Sequence, residues 1–416
     1  MRGVNRLLQA MPATVAFCMV LNPRWSTLPL AVWFLLVVAH ESRCIFNTPP
    51  VADRLPLPRA FQWFAGGSVL MYLLMAVGLG WTENEVAGWF ALEVKFSLLL
   101  VPLLMLHHWC RQGTKGLEIV PKALAAGLAL FMGWRFLIAG VSGDAQLWRY
   151  DGLAGPFHPT YMGLYLVLMP LLLSKKSKGD RLILVVTGVF VGLLASKAAW
   201  IVAALMWGSL LVLQTKRRDV RRWGIGAALA GMCLGGWLGD GGRWSEFTGY
   251  VSSAVVSSQV SSPESADVPS HLNEPRSVKA GSSAGRMQAW GASCEVLKVA
   301  PFGVGTGDVT DALCEVYAES KSEYALEKRM NPHSAWLQLA VSHGWVGLLL
   351  MLMWWFGTVT WAYRSQNALL LTWSVAWILN GTIESLLELQ QGVVPTVLLC
   401  CVFALNGSST KGAREA

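Results

Sequence analysis

The stretch IVPKALAAGLALFMGWRFLIAGV, Ile119 to Val141, decides the fold. Its apolar residues do not keep to one helical face. They run all round, broken by Lys122 near the start and by one deep charge, Arg135. A helix apolar on every side is buried in a large core or faces lipid. At 1.5 Å per residue the run reaches about 35 Å, enough to cross a hydrocarbon layer of about 30 Å.

Comparable runs recur near 7–21, 26–40, 60–80, 86–106, 158–174, 181–196, 198–214, 223–239, 345–363, 367–383 and 391–406. The 416 residues are 54% hydrophobic and only 14% charged, whereas a soluble domain carries about 25% charge. So few charges cannot cover so much apolar surface in water. The pattern predicts an all-α polytopic membrane protein of about 12 transmembrane helices, since a barrel would show ten-residue alternation instead. Several runs are short, which leaves adjacent pairs open to being re-entrant. The net charge of +8 does not imply nucleic acid, because the basic residues sit in short clusters between apolar runs.

Those clusters orient the chain. With the N-terminus inside, the inner segments hold Arg2, Arg6, Arg43, Arg54, Arg59, Arg111, Lys115, the 175–181 and 216–222 clusters, Arg364, Lys411 and Arg414. The short outer loops hold only Arg24, Arg149 and Lys197. The first apolar run reads as an uncleaved helix rather than a signal peptide, because no small-residue cleavage site follows it. Residues 1–239 then carry nine spans. Residues 240–342 form one large outer loop with amphipathic helices, and residues 343–416 the last three spans and an inner tail. Cys294 and Cys314 fall in the outer loop, where a disulfide and two free thiols are both open.

Within that loop, Val251 to Gly285 is serine-rich and reads as a loop without a core. From Arg286 onward, Met287, Trp290, Cys294 and Leu297 recur at helical spacing, with Ser282 or Ser283 as cap and Pro301 as stop. Pro301 to Asp308, PFGVGTGD, alternates glycines. It reads as a connecting turn rather than a phosphate cradle, because no strand precedes it. A charged helix is expected from Asp308 to Lys328. In Asn331-Pro332-His333, Asn suits a helix cap and Pro the first helical position, with Gly344 closing the helix before the tenth span. His333 then falls in the first turn, where the helix N-terminus favours the neutral ring that a general base requires. An interfacial histidine touching headgroups is the plain alternative.

Charged residues inside spans are costly and point to function. Lys95 and Arg135 lie about 9–13 Å below the outer surface by residue count. Lys197 stands at the turn between the seventh and eighth spans, and His158 opens the sixth. Glu384 and Glu388 are expected on one helix face before the twelfth. Each alone has a structural explanation, including a Glu384–Arg135 neutralising pair. Together they describe a basic cavity on one side, suited to a polyanionic lipid headgroup such as a diphosphate.

In order, the chain shows His-Pro-Thr-Tyr (His158–Tyr161), Ser-Lys (Ser196, Lys197) and Gly-Arg-x-x-x-Trp (Gly285, Arg286, Trp290). Pro-x-Gly-x-Gly-x-Gly (Pro301–Gly307), Asn-Pro-His-Ser-x-x-Leu-Gln (Asn331–Gln338), Gly-Trp-Val-Gly-Leu (Gly344–Leu348) and Glu-Ser (Glu384, Ser385) follow. From about His158 to Gln391 this resembles the O-antigen ligase and polymerase superfamily of bacterial inner-membrane glycosyltransferases.

The resemblance implies a GT-C-like helical membrane fold with its active site facing the periplasm. It implies transfer of a glycan from undecaprenyl diphosphate to a lipid A–core hydroxyl or to another glycan, with no cofactor and no metal. It places His333 as the catalytic base and Arg286 as a diphosphate ligand, joined by Lys197, where the family usually has arginine, and by Arg135. Lys95, His158, Glu384 and Glu388 are supporting residues. Ligase is favoured over polymerase by the loop and the length. A transporter without chemistry would show repeats between the halves, and the sequence shows none that convinces.

Overall fold

The computed structural model describes residues 2–44, 56–173, 178–213, 220–239 and 282–407. Among these there is no strand. The serine-rich stretch up to residue 281 lies outside the described residues.

Among the described residues, five helical segments are long and apolar enough to cross a membrane: Pro23–Ser42, Arg59–Trp81, Glu85–Gln112, Leu117–Ser142 and Ala335–Arg364. Five shorter apolar helices accompany them, Pro159–Leu172, Lys197–Leu211, Ile225–Leu238, Ala368–Gly381 and Gln390–Asn406. The structure therefore supports a helical membrane protein but not twelve equal spans. One reason is local. The expected span at 158–174 is two pieces, Pro159–Leu166 and Met169–Leu172, and both are buried. Non-helical backbone at membrane depth is tolerated where protein surrounds it.

The last helix, Gln390–Asn406, is the hub. Every residue from Gly392 to Leu405 is buried, against Arg59–Gly78, Ser97–Gln112, Ala368–Gly381 and Arg2–Met19. Beside it Trp355 and Trp377 stack at 3.9 Å between ring centroids, 12° from parallel. Part of the abundant tryptophan is thus interior packing, with Trp33, Trp207, Trp355, Trp373 and Trp377 fully buried.

The tightest pair is Lys178–Leu193 against Val220–Gly239, and its cause is legible in the residues. Gly192 meets Gly235, Gly188 lies against Ala228, and Gly231 lies against Val185 and Val189. A Cβ on Gly188 would stand 2.0 Å from the Ala228 carbonyl, and one on Gly235 2.4 Å from that of Val189. In lipid, where burial of apolar surface drives little association, such backbone approach is what holds helices together.

The helices between residues 282 and 334 have a small core of their own. Ala289, Ala292 and Val296 pack on Val309, Leu313, Tyr317 and Ala325, with Val341 of the long helix beneath. This corrects the expected face of Ser282–Val299. Met287 is 51% exposed and Cys294 is exposed, because the small residues between them let the neighbouring helices come close. The expected charged helix is two, Val309–Glu319 and Glu323–Glu327. Cys294 and Cys314 are both free thiols.

The glycine-rich segment is a clasp. The amides of Val304 and Gly305 donate to the carbonyls of Val341 and Ser342, and that of Gly303 to Ala300. Those of Thr306 and Gly307 reach the Thr82 hydroxyl at 2.9 and 3.4 Å. Asp308 closes the clasp, its carboxylate accepting from the amides of Glu83 and Asn84 at 2.9 and 2.7 Å. With these amides spent on protein, none is left to cradle a phosphate.

Candidate functional site

The loops that the charge bias places outside meet at one end of the molecule. Thr27 reaches Gln390, the His158 amide reaches the Gln391 side chain, and Thr160 meets Ser196 at 3.2 Å. The turn before residue 85 holds the clasp, and the site forms where these loops adjoin the start of the Ala335–Arg364 helix.

That helix begins later than the sequence predicts. Its cap is Ser334, whose hydroxyl accepts from the Leu337 amide at 3.4 Å. Asn331 instead accepts from the His333 amide at 2.9 Å, closing a tight turn. His333 takes a left-handed backbone, φ 45°, and so stands just ahead of the helix N-terminus rather than in its first turn. A non-glycine residue held there costs about 1–3 kcal/mol, a strain that concentrates at functional positions.

Glu384 is the centre of the site. Its Oε1 lies 3.6 Å from His333 Nδ1 and its Oε2 3.5 Å from an Arg286 amino group. Its carbonyl accepts from the Ala335 amide at 3.1 Å. The next residue fastens the same segment, since Ser385 Oγ accepts from the Ser334 amide at 3.2 Å and its carbonyl from the Tyr161 hydroxyl at 3.2 Å. Burial raises the Glu384 carboxyl, but His333, His158 and Arg286 around it prevail and hold it below the ordinary carboxylate value. His158 belongs to the same group. Burial lowers its ring while Glu384 and Asp151 pull the other way and Arg286 and His333 add to the lowering.

Several buried polar atoms here have no hydrogen-bond partner among the described residues. They are Arg286 Nε, Trp290 Nε1, His158 Nδ1 and His333 Nδ1. Arg286 and Trp290 stand one turn apart on the Ser282–Val299 helix. Such groups are costly unless a ligand meets them. The indole nitrogens of Trp33, Trp355 and Trp373 in the packed interior share that condition, and what sets this group apart is its convergence around Glu384.

The other expected residues are placed as follows. Lys197 opens its helix, half-buried, next to the Ser196–Thr160 contact. Arg135 turns to the chain behind His158, donating to the carbonyls of Leu153 at 3.0 Å and of Gly152, and does not form the neutralising pair with Glu384. Glu384 and Glu388 do not share a helix face, because residues 382–389 contain no helix. Glu388 turns instead to Lys95, 2.9 Å away.

Two supports of the site, Ser334 and Tyr161, stand within the quoted motifs, but that both fasten the residue after Glu384 is not visible in the sequence, since Ser385 is distant in the chain.

At one end of this helical chain a histidine, an arginine and a carboxylate are gathered within 3.6 Å contacts. Residues 182–352 match the family model described as O-antigen ligase, and this bears out the resemblance to the O-antigen ligase superfamily. That family consists of glycosyltransferase-like membrane enzymes. The matched stretch contains Lys197, Arg286 and His333. Glu384 and His158 lie outside it and reach the site through the fold. No curated protein matches the chain.

Proposed function

We propose that this protein transfers a glycan from undecaprenyl diphosphate to a hydroxyl of lipid A–core, at the periplasmic face of the bacterial inner membrane. The observation that carries this reading is the single carboxylate, Glu384, shared by His333 and Arg286, with Arg286 Nε buried and unspent beside it. One group is placed to take a proton, one to hold an anion, and one to aim both.

In this scheme His333 takes the proton of the acceptor hydroxyl as that oxygen bonds to the anomeric carbon. The bond from that carbon to the diphosphate oxygen breaks, and its electrons leave with the diphosphate. Glu384 steadies the ring from the Nδ1 side, so that Nε2 is the basic nitrogen. The 3.6 Å separation is longer than a hydrogen bond, as catalytic contacts often are before substrate arrives. Arg286 donates to the diphosphate and stabilises its growing charge, with Lys197 as a second positive group. Attack opposite the leaving group inverts the anomeric centre. Diphosphate already leaves well, so the scheme needs neither a general acid nor a metal, and the paired carboxylates of glycosidases are not required.

Lipopolysaccharide from a strain lacking the gene tests the reading. Core without O-antigen supports a ligase. Core carrying one repeat makes the protein a polymerase of the same superfamily. Unchanged ladders reject both.

A further inference from the structure

Lys95 is 4% exposed within the Glu85–Gln112 span. A lysine at such depth normally extends along its stem to the interface. This one turns inward to Glu388. Between them, with Ser385, Ala335, Gln338 and His343, lies a cavity of about 20 Å³. That is room for a water and far too little for a sugar. The ammonium is therefore placed to hold protein rather than substrate.

What it holds is one end of the segment that carries Glu384. Residues 384 and 385 are fastened by the Ala335 and Ser334 amides and by Tyr161. Leu386 and Leu387 are buried. At the far end the fastening is the Lys95–Glu388 ion pair. The segment has no helix to stiffen it, so its path depends on these attachments.

We propose that Lys95 is a positioning residue for transfer, acting through Glu388 to set the path of residues 384–388 and so the aim of Glu384 at His333 and Arg286. The inference rests on the roles given above to those two residues. Removing the lysine leaves the half-buried Glu388 charge without its partner and that end of the segment unfastened, so Glu388 turns toward water and takes the segment with it. A displacement of about 1 Å at a catalytic contact costs on the order of a hundredfold in rate.

The test uses the full-length protein in lipid nanodiscs, with undecaprenyl-diphosphate-linked O-antigen and lipid A–core from the host strain as substrates. Lys95→Met, Glu388→Gln and the double variant are compared with wild type and His333→Ala at matched thermal midpoints. Each single variant is expected to lose about tenfold to a hundredfold in kcat, with KM for the lipid donor within about twofold because uniform binding is untouched. The double variant should be no worse than either single, because both act through one contact. Amide hydrogen exchange over 382–389, which needs no substrate, should be faster in all three. Unchanged kcat in Lys95→Met overturns the proposal whatever the exchange shows. So does a raised KM at constant kcat, which would put Lys95 on the donor, or additive losses in the double variant. If wild type transfers nothing, or His333→Ala is fully active, the proposed function falls instead, and the exchange result alone decides whether Lys95 holds the segment.

Discussion

Arg286 and Glu384, 98 residues apart in the chain, meet at 3.5 Å, and the other oxygen of the same carboxylate faces His333 at 3.6 Å. The guanidinium is thus oriented on one side by the carboxylate, and its buried Nε has no hydrogen-bond partner among the described residues. His333→Ala should lower transfer by about 10²–10⁴, the usual contribution of a general base, in a protein that still inserts and folds. Glu384→Gln keeps the shape and loses the charge, and should cost about a hundredfold. Wild-type turnover in His333→Ala at matched expression would remove it as the base.

Arg286→Lys replaces a fork with a point charge. The loss of a charged hydrogen bond is about 1.5–3 kcal/mol, or roughly tenfold to a hundredfold in donor use. Lys197→Arg should be tolerated, since that position needs positive charge and stands half-buried at a helix start. Initial rates against donor concentration check both. Normal turnover in Arg286→Ala would move the diphosphate contact to another cation.

Acid should destabilise the fold in two stages. Burial lowers the His158 ring below its ordinary 6.5. Below about pH 6.5 the unfolded chain therefore takes up a proton that the folded chain still refuses, and stability falls as the pH drops towards the lowered native value. Glu384 follows. Its carboxyl is held below the ordinary 4.5, so its contribution is present above that value and is lost as the pH falls through the native one. Thermal midpoints followed by tryptophan fluorescence should decline from neutral pH downward, less steeply for His158→Gln below the ordinary 6.5. An identical slope in that variant would take His158 out of the account.

Excess EDTA should leave transfer intact. Glu384 faces Arg286 and His333 while Glu388 holds Lys95, so the two carboxylates point apart and each already has its cation. A hard divalent ion gathers more oxygens than this. Activity lost on chelation, restored by magnesium and absent in Glu388→Gln, would make the carboxylates metal ligands.

Gly344→Ala should lose stability outright. Gly344 has φ 64° inside the long helix, and a Cβ there would stand 2.1 Å from the Pro301 carbonyl. Strain of about 1–3 kcal/mol from the backbone alone, with the clash added, should lower the thermal midpoint and the yield of folded protein. An unaltered midpoint would mean that the clasp between the glycine-rich turn and this helix does not bear on folding.

Membrane class is legible in the order of residues alone, and the motifs that carry the family resemblance single out Arg286 and His333, which the fold brings to one carboxylate. Hydropathy is a local property summed along the chain, and a run such as 119–141 needs only its own residues to declare itself. Arg286, His333 and the stop at Pro301 belong to short-range patterns, as does the break at Gly344. Their partners are not legible in this way. Glu384 and Glu388 at i, i+4 look like one helix face, but residues 382–389 leave the helix and send one carboxylate to Arg286 and His333 and the other to Lys95. Arg135 looks like an available cation at the right depth, yet it turns to the carbonyls of Gly152 and Leu153. The central place of Gln390–Asn406 is equally hidden, because an apolar helix reads the same whether lipid or protein surrounds it. Residue spacing specifies what each segment can be. Which charge meets which depends on the path of the chain between them, and the packed helices set that path.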